Sequence, residues 1–273
     1  MDFADYQRFR FRRGEFSHNG SDTARVLTVA FAGPNPVNGV DAIMHAELSR
    51  LFTDLQHDEG SDIIVLTGDG RAFCAGGDFD WFEEQIAHPH KFRDIGWEAK
   101  RIVTSLLDVD KPIICRLNGA AAGLGATIAL LCDIIVADEN AVIGDPHVKV
   151  GLVAGDGGAV IWPQLIGYVR AKEFLMTGDL IKAPRAAEMG LINYAVPTAE
   201  LDAKVAGIVA KLLGNPRWAV RWTKTVANQP LKALAVQLMD ASIGYETLSN
   251  LTADRAEAVR AFREKRPPVL TGE

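Results

Sequence analysis

The chain has 273 residues, 48% hydrophobic and 23% charged, in the range of soluble globular proteins. Its net charge of -6 excludes general nucleic-acid binding, because no basic stripe is present to release counterions from a phosphate backbone. No run of roughly eighteen apolar residues exists to cross a bilayer, and the start MDFADYQRFR has no apolar signal core, so a cytoplasmic location without membrane contact is expected.

In chain order, Arg8, Arg10, Arg12 and Arg13 alternate with Phe9 and Phe11, the pattern of a strand with one solvated face. RVLTVAF (25–31) is a second β-rich run. Over 41–58, Ile43, Leu48, Leu51, Phe52 and Leu55 share one helical face. DIIVLTG (62–68) predicts a buried strand, 90–108 a helix, KPIICRLNG (111–119) a strand and 123–132 an apolar helix, followed by the short strands DIIVADE and AVIG. This alternation predicts an α/β core with crossover helices. Beyond it the chain turns helical, and 231–265 is expected to hold two helices, the second starting near Thr252. Cys74, Cys115 and Cys132 are odd in number, without CxxC spacing, and sit among apolar neighbours, so buried free thiols are expected.

Two strands end in small residues: GDGRAFCAGGD (68–78) and LNGAAAGLGA (117–126). Such turns leave backbone N–H groups unobstructed, and two converging on one point make an oxyanion hole. The same glycines also suit tight turns and close helix–strand packing. A dinucleotide fingerprint and a serine elbow are absent. A third loop, DPHVKVGLVAGDGGAVIWP (145–163), holds Asp145, His147 and Asp156 before an apolar helix. His147 has the residue type for acid–base work near neutral pH, or for a half-buried side chain making one hydrogen bond. Asp156 suits either a proton-transfer role or the N-cap of the following helix. Asp145 precedes a proline and suits a turn. Glu246 falls on a helix face expected to be solvated.

RAFCAGGDF, KPIICRLNGAAAGLGATIALLCDIIVADENAVIGDPHVKVGL, LIGYVRAKEFLMTGDLIKAPRAAEMGLINYAVP and AVRAFREKRPPVLTG resemble, in order, segments of the crotonase (enoyl-CoA hydratase/isomerase) superfamily. The resemblance implies an α/β fold with a ββα spiral core over 1–200 and a C-terminal helical oligomerisation region over 201–273. It also implies a homotrimer or homohexamer and enolate chemistry on an acyl-CoA, with coenzyme A as part of the substrate and neither cofactor nor metal. The oxyanion donors fall on Gly77 and Leu124. Ala75, Thr127, Lys265 and Arg266 become substrate contacts, the last two facing the CoA phosphates.

The chain departs from the family where a hydratase carries two glutamates. Thr127 stands at the first and His147 at the second. Asp156 and His147 are left as the candidate proton carriers. GDGG followed by VIWP is also similar to the branch containing 6-oxocamphor hydrolase, which cleaves a carbon–carbon bond in a β-diketone. That branch carries a histidine near the second oxyanion loop, and AAAGLGATIALL has none. The leading reading is an acyl-CoA hydratase or isomerase; the alternatives are a β-diketone hydrolase and a catalytically silent binding protein.

Overall fold

A computed structural model of the chain describes residues 2–18 and 22–273. The elements are β1 (Phe9–His18), β2 (Asp22–Phe31), α1 (Ala42–His57), β3 (Ile63–Gly68), β4 (Ala72–Cys74), α2 (Phe79–Ala87), α3 (Phe92–Asp108), β5 (Ile113–Leu117), β6 (Ala120–Ala122) and α4 (Leu124–Leu131). There follow β7 (Ile134–Asp138), β8 (Val142–Gly144), α5 (Gly158–Ile166), α6 (Tyr168–Thr177), β9 (Ile181–Lys182), α7 (Ala183–Glu188), β10 (Tyr194–Val196), α8 (Leu201–Leu213), α9 (Arg217–Ala227), α10 (Gln229–Ser249) and α11 (Ala253–Arg263).

The strands form two sheets, in orders β1-β2-β3-β5-β7-β10 and β4-β6-β8-β9. β1 and β2 pair antiparallel, and β2, β3, β5, β7 and β10 run parallel. In three successive turns of chain the first strand joins the large sheet and the second, only three residues long, joins the small one. This is the expected α/β spiral. β1 buries Phe9 and half-buries Phe11 while Arg10 and Arg12 stay exposed, as the alternation requires.

α1 buries Met44, His45, Leu48, Leu51, Phe52 and Leu55 against the core. Ile43, expected on that face, is exposed instead, since the stripe is centred one residue later. Each buried Leu or Phe contributes about 1.5–3 kcal/mol. The small residues have a different task. A Cβ on Gly125 would lie 2.1 Å from the Cys74 carbonyl oxygen, so only glycine lets α4 press onto the end of β4. That contact brings the two glycine-rich turns together.

The C-terminal helices begin at Leu201. α8 covers the large sheet, α10 packs on α3 and α5, and α11 packs on α2. Thr252 caps α11 by accepting from the Arg255 N–H. All three cysteines are buried and free. Among the described residues no helix is long and apolar enough to cross a membrane.

Candidate active site

β4, β6 and β8 lie side by side and parallel, so their C-terminal ends face one way. β4 runs into Gly76–Gly77, β6 into Gly123–Leu124, and β8 into Asp145–His147. All three loops border one cavity of about 40 Å³, whose wall includes Gly77, Leu124, His147, Asp156, Glu246 and His45. Trp81, Phe82 and Leu152 supply part of the apolar remainder.

Gly77 and Leu124 both line this cavity, and among the described residues no acceptor is found for either N–H. The bridge between Val40 and Gly77 uses the Gly76 carbonyl and the Asp78 N–H, which leaves the Gly77 N–H out of the pairing. Leu124 is the first residue of α4, where an N–H has no intrahelical acceptor and the helix dipole is positive.

Beside them sits a buried line of charge. The His147 ring donates through Nδ1 to Asp145 and lies 3.3 Å through Nε2 from Asp156 Oδ2. The side chains of His147 and Asp156 are 11% and 8% exposed, and Asp145 is fully buried. A ring that faces a carboxylate with each nitrogen satisfies both only as the doubly protonated imidazolium. Burial alone drives the ring toward neutrality, but Asp145 and Asp156 together outweigh it and hold the His147 pKa well above its ordinary value. Burial likewise opposes the Asp156 charge, and His147 reverses this, keeping Asp156 below the usual carboxylate range. His45 acts on Asp156 in the same sense.

Asp145, expected to start a turn, thus orients the histidine. Asp156, for which a capping role stood open, makes no cap: Gly157 occupies the N-cap of α5, without a side-chain cap bond. Glycine is required around this line. Gly123, at φ 52°, would put a Cβ 3.2 Å from His147 Cε1, and a Cβ on Gly158 would fall 1.9 Å from Asp145 Oδ2. Asp145, His147 and Asp156 also have the composition of a metal-binding set. The two carboxylates address opposite nitrogens of one ring, however, and those directions diverge, so the arrangement reads as a proton relay.

Glu246 corrects an expectation. It lies on the buried side of α10 with Ala235 and Met239, not on a solvated face. Burial, reinforced by Asp156 and opposed by His147 and Arg255, pushes its carboxyl up to about 8. It is therefore a neutral acid at neutral pH. Arg255, fully buried, donates to the Val150 carbonyl at 2.6 Å and places its guanidinium 4.4 Å from the Phe82 ring centre. His45 was also missed. Its Nδ1 lies 2.6 Å from Glu98 Oε2, and its ring packs on Trp81. Both residues left a signal, since each is an ionisable side chain continuing an apolar helical stripe.

The remaining expected contacts fall elsewhere. Thr127 is buried behind Asp156, with Oγ1 3.4 Å from Asp156 Oδ1, and does not border the cavity. Ala75 borders an outer recess of about 330 Å³, shared with Gly77, Asn35, Phe79 and Phe262. Lys265 is exposed just past α11 with φ 53°. Arg266 is committed to Glu257 and Glu264.

Comparisons with known proteins bear on the family and the fold. Residues 21–273 match the family model described as enoyl-CoA hydratase/isomerase. The chain is 31% identical to 1,2-epoxyphenylacetyl-CoA isomerase of Escherichia coli, over 90% of this chain and 95% of that protein. It is 31% identical to crotonyl-CoA hydratase of Syntrophomonas wolfei, over 85% and 89%. Among solved structures, an enoyl-CoA hydratase/isomerase from Mycobacterium paratuberculosis superposes with TM-score 0.85 at 33% identity, covering 93% of this chain and 97% of that one. A β-diketone hydrolase from Anabaena, bound to (S)-3-oxocyclohexyl acetic acid, superposes with TM-score 0.81 at 29% identity, covering 91% and 96%. With its spiral fold and the family model matched from residue 21 to the last residue, the chain belongs to the enoyl-CoA hydratase/isomerase family.

Proposed function

We propose that this site hydrolyses a carbon–carbon bond of a 1,3-diketone through an enolate held by the N–H groups of Gly77 and Leu124. The observation that carries the reading is the buried Asp145–His147–Asp156 line, with protonated Glu246 on the same cavity. A site of this charge holds a proton donor and a proton acceptor side by side. The β-diketone hydrolase from Anabaena, alike in fold over nearly the whole chain, supports the same reading.

The steps follow from the protonation states. Water adds to one carbonyl carbon, and ionised Asp156 accepts its proton. Glu246 and the His147 imidazolium favour the alkoxide that forms. The bond between that carbon and C2 breaks, and the electron pair becomes an enolate whose oxygen lies against Gly77 and Leu124. His147 gives its Nε2 proton to C2. Asp156 then returns its proton to His147 across 3.3 Å, which resets the pair. The product is a keto acid. Losing one of the two backbone donors costs roughly 3 kcal/mol of barrier in comparable sites.

The second reading is hydration or isomerisation of an acyl-CoA. The recess beside Gly77 favours it, being large enough to take part of a thioester tail. Against it, Arg263 at that recess is tied to Asp80 and Glu83, and Arg266 to Glu257 and Glu264. Neither cation is idle for a phosphate. In assembly the chain is read as a trimer or a pair of trimers. Trp218, Trp222 and Val226 on α9 and Val236, Tyr245 and Leu248 on α10 are exposed apolar side chains that a second copy would cover.

Four outcomes are expected. Offered cyclic 1,3-diketones and acyl-CoA thioesters side by side, the protein forms keto acids faster than it alters any thioester. Turnover holds through neutral pH and declines as the pH rises past about 8, where Glu246 ionises. Thioester turnover alone, or a rate that climbs with pH as a neutral-histidine base demands, contradicts the scheme. Asp156→Asn, which disturbs no helix cap but takes one answering charge from His147, stays folded with a lowered melting temperature and turns over about 10²–10⁴-fold more slowly. Full activity in that variant removes Asp156 from the chemistry. Light scattering at micromolar concentration reports three or six copies, and a stable monomer refutes the assembly.

A further inference from the structure

Hydrolysis of a diketone at neutral pH yields a carboxylate and one proton that must reach bulk solvent. The His147–Asp156 pair resets by internal transfer, so it does not carry that proton away. His147 and Asp156 are almost fully covered, so a proton released beside them has to be handed on by a neighbouring side chain or by water entering the cavity.

One element of the wall spans both sides. His45 borders the catalytic cavity, and Glu98 does not. Glu98 instead borders a separate surface recess of about 290 Å³ on the far side of Trp81, Gln85 and Ile95. The two side chains meet through the wall, His45 Nδ1 to Glu98 Oε2, at 2.6 Å. Their exposures step outward, from 4% for His45 to 22% for Glu98. The outer recess holds further charge: Asp94, and Glu84 bonded to Lys91 at 2.6 Å. An imidazole is suited to this position because it gains a proton at one nitrogen while releasing one from the other. No other role for the pair follows from the scheme above, since neither side chain is needed to hold His147 or the two backbone donors.

We infer that His45 and Glu98 form a proton exit from the buried end of the site, carrying the product acid's proton from the cavity to the surface recess. The inference rests on the hydrolytic reading, because hydration and isomerisation release no net proton. In each turnover the proton leaving the new carboxylic acid enters His45 at Nε2. The Nδ1 proton passes to Glu98, and Glu98 yields it to water or buffer in the recess. The neutral ring, now protonated only at Nε2, regains its first tautomer by turning over or by exchange. Glu98 acts through His45 and touches no substrate, so it is a positioning and relay residue.

The test uses Glu98→Gln in the full-length protein. A glutamine oxygen still accepts from Nδ1–H, so the ring stays held while the side chain can no longer take the proton. At low buffer concentration the variant is expected to lose about tenfold or more in kcat with KM little changed. Adding imidazole, a small carrier, restores the rate in a concentration-dependent way, while the parent protein does not respond. A variant as fast as the parent in dilute buffer overturns the exit, as does a loss that imidazole fails to repair. If the parent protein hydrolyses no diketone in any buffer, the hydrolytic reading fails and the exit falls with it. A parent that hydrolyses diketones beside an insensitive variant removes the exit alone.

Discussion

The site is organised around a single constraint, that a charged imidazole is kept away from water. A buried cation is tolerated only when its charge is answered at close range, and removing one partner of such a pair typically costs 3–5 kcal/mol. His147 is answered twice, by Asp145 and by Asp156, which lie at opposite nitrogens of one ring. Much of the local structure serves that arrangement. The short strand β8 delivers Asp145 and His147 together, Gly123 leaves room for the ring, and Gly158 leaves room for the Asp145 carboxylate. Because the folded pKa of His147 is raised, the stabilisation this cluster gives is complete below about 6.5 and is lost as pH climbs through the folded value.

The fold makes this site from very little regular structure. Three strands of three residues each, β4, β6 and β8, are parallel neighbours, so whatever follows them is collected at one edge. Two of the following turns present backbone N–H groups, and the third presents side chains. This separation explains how one architecture accommodates different chemistry. Backbone donors survive any change of side chain, whereas groups carried on side chains do not. Thr127 and His147 fall where the family resemblance leads one to expect the two glutamates of a hydratase. Thr127 does not inherit the role, since it lies behind Asp156. Glu246, from the C-terminal helices, restores a carboxyl group to the cavity by another route, so those helices wall the site as well as offering apolar faces.

What was legible in the sequence followed from local rules. Alternating Phe and Arg marked β1, the apolar run at 62–68 marked β3, and the small residues after two strands marked the donor turns. The helix covering the cavity, α2, was not foreseen, because Phe79–Ala87 is only 9 residues long, too short to repeat a helical stripe clearly. Long-range pairing was hidden as well. Nothing local to Glu246 places it against Asp156, and nothing local to His45 places it against Glu98. Each was detectable only as a titratable residue on a buried stripe, a weak signal that burial converts into chemistry. The choice between cap and catalytic group at Asp156 depended on one residue of register, which the structure assigns to Gly157.

The charge state of His147 is the quantity on which the account turns, and nitrogen-detected magnetic resonance of its ring measures it directly. Across a titration from acid to mildly alkaline pH, both ring nitrogens should remain protonated through neutrality and lose a proton only well above 6.5. The transition should move down toward that ordinary value when Asp156 is replaced by Asn. A ring that is already neutral at pH 7, with one nitrogen bare, would contradict the imidazolium assignment and make His147 a base instead of a proton donor.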